Sequence, residues 1–303
     1  MRGWILYKSS ETEIKPEAYE IHRLQDVARA QGIEVKVLKP EQFDLIVTRD
    51  DRKSVRVDGD ILPLPDFLLP RMGAGTTYFA LAVIRQLERL RVRSFNSSAS
   101  IETVKDKLYT QQILAASDLP FAKTMLARFP VDVSVVEKYL GFPVVVKTVS
   151  GSQGIGVFLS ENRSQFGDLM HLISAAKSSV NIILQEFVQC SCGRDLRVIT
   201  IGGRAVACMQ RIARVGSFKA NFSNGGSVEP YELTAEIEWL ATEASRILGL
   251  DIAGVDLLFD DGHFKICEVN SSPGFQGMEQ SQDINISREI LDFVRVRLGI
   301  FPD

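Results

Sequence analysis

The sequence predicts a mixed α/β (α+β) fold built from three successive units. Three observations carry this expectation. The chain opens strand–helix–strand, which starts an α/β layer. Midway, the β-branched run Val144-Val145-Val146-Lys147-Thr148 leads into a glycine-rich turn. Near the C-terminus, Asp261-Gly262 stands between two apolar runs, a strong hairpin signal.

The elements follow in order. Residues 4–7 read as a buried strand. A helix is expected over 16–31, with Ile21, Leu24, Val27 and Ala28 at helical spacing and Gly32 as its stop. Residues 33–38 alternate as a strand, and the charged stretch 50–60 reads as a surface loop or hairpin. Pro63, Pro65 and Pro70 bracket a short strand over 66–69. A helix over 76–90 and a strand over 92–95 close the first unit near Asn96. One helix over 98–117 opens the second, followed by strands at 142–148, 157–159 and 182–187 and a helix near 165–176. The third unit has a hairpin over 195–210, a polar loop over 215–226, a helix over 234–248, the Asp261-Gly262 hairpin and a last helix over 286–298.

With 303 residues, 45% of them hydrophobic, and a net charge of −3, the composition is that of an ordinary globular chain. The charge balance gives no case for nucleic-acid or membrane binding. The 4 cysteines make no disulfide framework and no zinc-site spacing, so reduced thiols are expected. The N-terminal apolar run is too short for a signal peptide, and nothing approaches the roughly 20 apolar residues of a membrane span. The expected location is the cytoplasm.

Chemistry concentrates on the last hairpin. The numbers of Asp256 and Glu268 average to Gly262, so the two carboxylates are expected opposite each other. Asn270, two residues beyond Glu268, points to the same face. Oxygen-only ligands suit Mg²⁺ or Mn²⁺, with phosphates completing the shell. A hairpin carrying solvated acids is the competing reading.

Gly151, Ser152, Gln153, Gly154 and Gly156 could cradle a phosphate, because glycines let backbone N–H groups approach an anion. No Gly-Lys-Ser/Thr ends the loop, and a strand follows it where a dinucleotide fingerprint needs a helix. A flexible hairpin tip is the alternative. Lys147, a lysine among valines, needs a counter-charge, and a phosphate held by the adjacent loop would supply one.

Several strings then occur in a telling order: Pro70-Arg71-Met72-Gly73, Asp106-Lys107-Leu108, Val145-Val146-Lys147, Gly151 to Val157, Gln185-Glu186-Phe187-Val188, Arg194-Asp195-Leu196-Arg197, Ala253-Gly254-Val255-Asp256 and Glu268 to Gly274. From about Leu68 onward the chain resembles the ATP-grasp superfamily, and within it the RimK family of ATP-dependent glutamate ligases. The resemblance implies an N-terminal parallel α/β domain over 1–96 and two α+β lobes, 97–187 and 188–303, clamping ATP. It implies that Lys107 and Lys147 contact phosphates under the 151–156 loop, and that Glu186 and Phe187 meet the adenine edge. Asp195, Lys219, Ala220 and Asn221 match further nucleotide positions. Asp256, Glu268 and Asn270 match metal ligands, with Glu268 bridging two ions.

The implied chemistry has two steps. A carboxylate attacks the γ-phosphoryl of ATP and becomes an acyl phosphate. An amine, typically that of L-glutamate, then displaces phosphate to form an amide. Arg211 matches a family arginine at the acyl-phosphate stage, and Arg71 and Arg197 are further candidates for holding carboxylates or phosphates. The chain departs from the ribosome-modifying branch at Gln210, Ile212 and Ser223-Asn224, which leaves the acceptor open between a protein tail, a peptide and a small carboxylic acid. A different amino-acid donor, or an ATP-binding regulator without ligase activity, are the alternatives. A homo-oligomer is compatible with the sequence, although no exposed apolar stripe can be picked out.

Overall fold

The computed structural model describes residues 1–15, 18–48, 55–149, 156–175, 181–214, 216, 218 and 226–300. The N-terminal part comprises β1 (Arg2–Leu6), α1 (Tyr19–Ala30), β2 (Glu34–Leu38), β3 (Phe43–Leu45), β4 (Val55–Val57), β5 (Phe67–Pro70), α2 (Tyr78–Arg89) and β6 (Arg93–Ser94). Its main sheet is wholly parallel, in the order β2-β1-β5-β6. β1 is buried on both faces, as parallel strands are. Ile5 packs toward α1, and Trp4 and Leu6 pack toward α2. Within the charged stretch, Val55 and Val57 are buried because β4 pairs with β3. Pro16 and residues 50–54 lie outside the described residues.

The helix expected over 98–117 is two helices, α3 (Ser98–Lys105) and α4 (Lys107–Ala116). Asp106 breaks it. Its backbone is extended (φ −89°, ψ 104°), and its carboxylate accepts from the N–H groups of Leu108 and Tyr109. An aspartate that captures N2 and N3 donors starts a new helix. The next sheet runs β7 (Thr124–Leu126), β8 (Val144–Thr148), β9 (Val157–Ser160) and β10 (Ile182–Glu186), in the order β7-β10-β8-β9 and antiparallel throughout. The helices α5 (Val133–Tyr139) and α6 (Arg163–Ala175) complete this region. Neither β7 nor α5 was expected from the sequence.

The C-terminal part contains β11 (Arg194–Ile201), β12 (Arg204–Ile212), β13 (Ser227–Pro230), α7 (Ala235–Ile247), β14 (Ile252–Asp260), β15 (His263–Asn270), α8 (Gln276–Ser281) and α9 (Ile286–Arg297). Its antiparallel sheet has the order β13-β12-β11-β14-β15. One face packs Leu196, Val198, Val255, Leu257 and Ile266 against Leu240, Ala241 and Ala244 of α7. Val104, Leu114 and Leu119 join this core, so the segment around α3 and α4 leans on the C-terminal sheet.

The opposite face is divided. Ile199, Ile201 and Met209 join the core of α1, α9 and the parallel sheet. Each such buried side chain contributes about 1.5–3 kcal/mol. That apolar half anchors the N-terminal part and leaves the other half of the face to charged residues. No helix among the described residues is long and apolar enough to cross a membrane.

Candidate functional site

The turn between β14 and β15 has Asp261 at φ 47° and Gly262 at φ 86°. Positive φ at both central residues is the hairpin turn whose twist matches the strands. The ladder climbs from Asp260↔His263 to Leu257↔Ile266 and then shifts register. Beyond the shift, Asp256 faces Glu268 and Gly254 faces Asn270. Cys267 is the extra residue of a β-bulge.

The neighbouring strands extend the charged row. Arg197 lies opposite Asp256, and Arg211 opposite Asp195. Arg197 donates through Nε and Nη2 to the two carboxylate oxygens of Asp256, both at 2.8 Å. Arg211 does the same to Asp195 at 2.7 Å, and its Nη2 lies 3.0 Å from Asp256 Oδ2. Two arginines and two aspartates thus balance in charge. Burial pushes Asp195 above its ordinary range against the pull of Arg211. Burial also penalises the Asp256 charge, but two guanidiniums outweigh it and hold that carboxyl down at about 2. Burial likewise opposes the Arg211 charge, and the two aspartates more than offset it, raising its pKa.

Lys107 is the first residue of α4. A helix N-terminus disfavours a cation and favours an anion. Here the lysine is held by Glu268, with Nζ 2.6 Å from Oε1. Lys147 on β8 donates to Gln185 Oε1 at 2.5 Å and lies 3.7 Å from Cys267 Sγ. Both lysines, Gln111, Gln185, Cys267 and Glu268 line one open cleft of about 300 Å³, with Val104, Ile183 and Val269 as apolar walls. Gln111 is buried and donates to the Cys267 carbonyl at 3.0 Å, while its own Oε1 has no partner.

The remaining expected residues are distributed as follows. Glu186 ends β10 and accepts from Lys123 N and Lys265 Nζ. The Phe187 ring meets Phe218 edge-on at 6.5 Å. Gly156 has φ 75°, and a Cβ there would lie 2.9 Å from Thr148 Oγ1, so the turn needs glycine. Gly151, Ser152, Gln153, Gly154, Lys219, Ala220, Asn221 and Ser223-Asn224 lie outside the described residues. Arg197 is engaged by Asp256 through Nε and Nη2. Gln210 and Ile212 flank Arg211 in sequence, but strand alternation turns them to the other face. Arg71 stands apart from the cleft, buried against Pro273 and Phe275.

Among the described residues no three His, Cys, Asp or Glu side chains gather as a metal cluster. The expected donor set is instead two carboxylates and an amide on one face. All three donate oxygen, which suits a hard divalent cation with phosphate oxygens as co-ligands. Sequence reasoning missed the partners Gln185 and Lys265. A glutamine inside the apolar strand Ile182-Ile183-Leu184-Gln185 was the available signal for the first.

Known families and proteins resemble this chain along most of its length. The family model of the RimK-like ATP-grasp domain matches residues 104–294, and that of the RimK PreATP-grasp domain residues 12–101. A "Probable alpha-L-glutamate ligase" of Thioalkalivibrio sulfidiphilus is 36% identical over 277 residues, covering 91% of both chains. A protein of the same name from Rhodopirellula baltica is 35% identical over 289 residues, 95% of this chain and 70% of the relative. Among solved structures, the ATP-grasp ligase PsnB with a phosphomimetic variant of its minimal precursor, Mg and ADP superposes with a TM-score of 0.74 at 18% identity, covering 97% of this chain and 98% of that one. The D-cycloserine synthetase DcsG gives 0.72 at 18% identity, covering 98% and 99%. Both likenesses bear on the fold alone.

Proposed function

The chain belongs to the RimK-like ATP-grasp family of ligases, and on that footing we propose that it adds L-glutamate to a carboxylate acceptor through an acyl phosphate. The observation that carries the reading is the convergence of Lys107, Lys147 and Glu268 on one cleft, with Asp256 and Asn270 on the face of Glu268. Cations for phosphate and oxygens for a divalent metal then belong to one site.

In this reading Lys107 and Lys147 hold ATP phosphates. Asp256, Glu268 and Asn270 would hold Mg²⁺ or Mn²⁺, as two ions, and the metal would supply charge neutralisation on the phosphates. Glu186 and Phe187 border the base, and because the Glu186 carboxylate is engaged by lysine, backbone groups are left to read the adenine edge. Asp195 holds Arg211 by Nε and Nη2, which leaves the Nη1 hydrogens for the phosphate oxygens of the acyl phosphate. By resemblance to the family, Gly151, Ser152, Gln153, Gly154 and Gly156 would close over the phosphates, and Lys219, Ala220 and Asn221 would contact the nucleotide. The acceptor carboxylate attacks the γ-phosphoryl and ADP leaves. The glutamate amine then attacks the acyl carbon and phosphate leaves. Positioning and charge neutralisation are the protein's share.

The test is ADP and phosphate release with ATP, Mg²⁺ or Mn²⁺, and panels of amino acids and carboxylic acids. Turnover with L-glutamate supports the donor. Turnover with another amino acid alone would replace it. No ADP above background with any panel member or cell-extract fraction would remove the ligase reading.

A further inference from the structure

The parallel sheet has a feature that the nucleotide site does not use. The chain leaves β1 for β2 on one side and returns to β5 on the other. The switch point therefore lies between β1 and β5, and in open α/β sheets ligands bind outside the carboxyl ends of the strands at such a point. Tyr7 follows β1 there, and Arg71 follows β5, with Arg71 N donating to Leu6 O at 2.8 Å.

Arg71 is a buried cation, 8% exposed. Its guanidinium turns toward the loop after β15. Nη2 donates to the Pro273 carbonyl at 2.5 Å, and the group lies 5.7 Å from the Phe275 ring centroid. Among the described residues it joins no carboxylate in an ion pair. Glu20, whose charge acts on Arg71 from outside ion-pair distance, spends Oε1 on the N–H groups of Phe275 and Gln276. Burial pulls the Arg71 pKa down, the direction expected of a cation without a close anion. Such a charge is costly unless paired.

A second observation at the same sheet end points to an anion. Met72 is α-helical (φ −85°, ψ −27°) and Gly73 is left-handed (φ 53°). That succession turns consecutive N–H groups into an anion-holding concavity. Side chains added at Gly73 or Gly75 would meet nothing within 4 Å, so the turn faces open space.

The position relates this crevice to the cleft. Pro273 is three residues beyond Asn270, at most about 10 Å of chain. Pro273 also packs on Gly254, the ladder partner of Asn270. A small substrate can span that interval.

We propose that the crevice between the carboxyl ends of β1 and β5 binds a carboxylate of a ligase substrate, with Arg71 as its counter-ion. The proposal rests on the ligase reading. The carboxylate belongs either to the amino-acid donor, as the α-carboxylate that is not consumed, or to the acceptor, as a group beside the one activated.

The experiment uses the full chain with Mg²⁺ and a non-hydrolysable ATP analogue. L-Glutamate is titrated against isoglutamine, whose α-carboxylate is an amide. A short peptide ending in two glutamates is titrated against the form in which only its α-carboxylate is amidated. Arg71→Gln is expected to weaken one free-acid probe about tenfold or more, toward its amide, as loss of a charge-assisted bond does. Affinity for the ATP analogue is expected to hold. Loss confined to L-glutamate assigns the donor, and loss confined to the peptide assigns the acceptor. Arg71→Lys is expected to restore part of the difference. A purely structural role would lower analogue affinity and the thermal midpoint while weakening acid and amide alike, and that result overturns the proposal. So does equal binding of acids and amides by the unmodified protein, or unchanged binding in Arg71→Gln. Failure of the ligase reading shows separately, as no ADP from ATP with any substrate while the acid–amide difference persists.

Discussion

Asp256 faces Glu268 across the last hairpin because Cys267 has no partner there. The turn is centred between Asp261 and Gly262, so a regular ladder would set Asp256 opposite Cys267. Glu268 would then lie on the face packed against α7. The bulge restores both Glu268 and Asn270 to the side of Asp256. Deleting Cys267 removes only the unpaired residue and leaves Glu268 opposite Asp256, so Mg²⁺-dependent nucleotide binding is expected to persist. Loss of that binding in a chain with a normal far-ultraviolet spectrum would show that Cys267 itself is needed, beyond the face of Glu268.

Glu268→Ala leaves Lys107 without its anion and removes an expected metal ligand. The expected loss in kcat for ADP formation is at least about 10²–10³-fold, the scale of a missing transition-state electrostatic contact. Near-normal turnover at saturating Mg²⁺ would sink the metal assignment.

The buried Arg197–Asp256–Arg211–Asp195 row predicts strong coupling in stability. Arg211→Met strands Asp195, and breaking one side of a buried pair costs about 3–5 kcal/mol. Arg211→Met with Asp195→Asn is expected to cost less than the sum of the two single changes, as contacting residues do. Thermal unfolding of the four proteins completes the cycle, and strict additivity would contradict the pairing.

The reach of the sequence can be judged from these residues. The Asp261-Gly262 turn, the alternation of Glu268 and Asn270 and the lysine among valines are local patterns, and local patterns are visible in one chain. The midpoint argument reached the right partner for Asp256 only because an unforeseen bulge made up the one-residue difference. The bulge shows only as a phase slip, with the buried residues Phe264 and Ile266 at even positions and Val269 at an odd one. The break at Asp106 was legible in principle, since aspartate is a preferred N-cap, but the apolar spacing on both sides masked it. The ion-pair row depends on the register of β11, β12 and β14, which are far apart in sequence, so its engagement of Arg197 could not be read. β7 and α5 are too short to carry a clear period.

Gly254→Ala tests how the loop after β15 is seated. A Cβ at Gly254 would lie 2.6 Å from the Pro273 Cβ, so loop or strand must shift. Asn96 and Arg71 hold the same loop through the Ser271 and Pro273 carbonyls. The substitution is expected to cost about 1–3 kcal/mol, the usual scale of overpacking. It is also expected to weaken Mg²⁺ dependence, because Asn270 is the ladder partner of Gly254. Activity titrated with Mg²⁺ reads this, and an unchanged midpoint would uncouple loop from metal.

Tyr19 ties α1 to α8. Its hydroxyl donates to Glu279 Oε2 at 2.8 Å, and burial followed by that bond pushes its pKa from 10.0 to about 12. A group whose folded pKa is raised stabilises fully below its unfolded pKa and loses that contribution as pH rises through the folded one. The unmodified protein is therefore expected to lose more stability than Tyr19→Phe between pH 10 and 12. Parallel thermal midpoints for the two proteins over that window would contradict the contact.

The four free thiols differ in environment in a way that reports on the nucleotide site. Cys190 and Cys192 are exposed and are expected to react first with a disulfide reagent. Cys208 is buried and its thiol is pushed up to about 12, so it is expected to react only on unfolding. Cys267 is intermediate. It lines the cleft with Lys107 and Lys147, and burial raises its pKa despite the nearby lysine. ATP with Mg²⁺ is expected to slow labelling of Cys267 severalfold and leave Cys190 unchanged, as read by peptide mass mapping. Labelling of Cys267 at the same rate with and without ATP would mean that the nucleotide does not lie over the bulge.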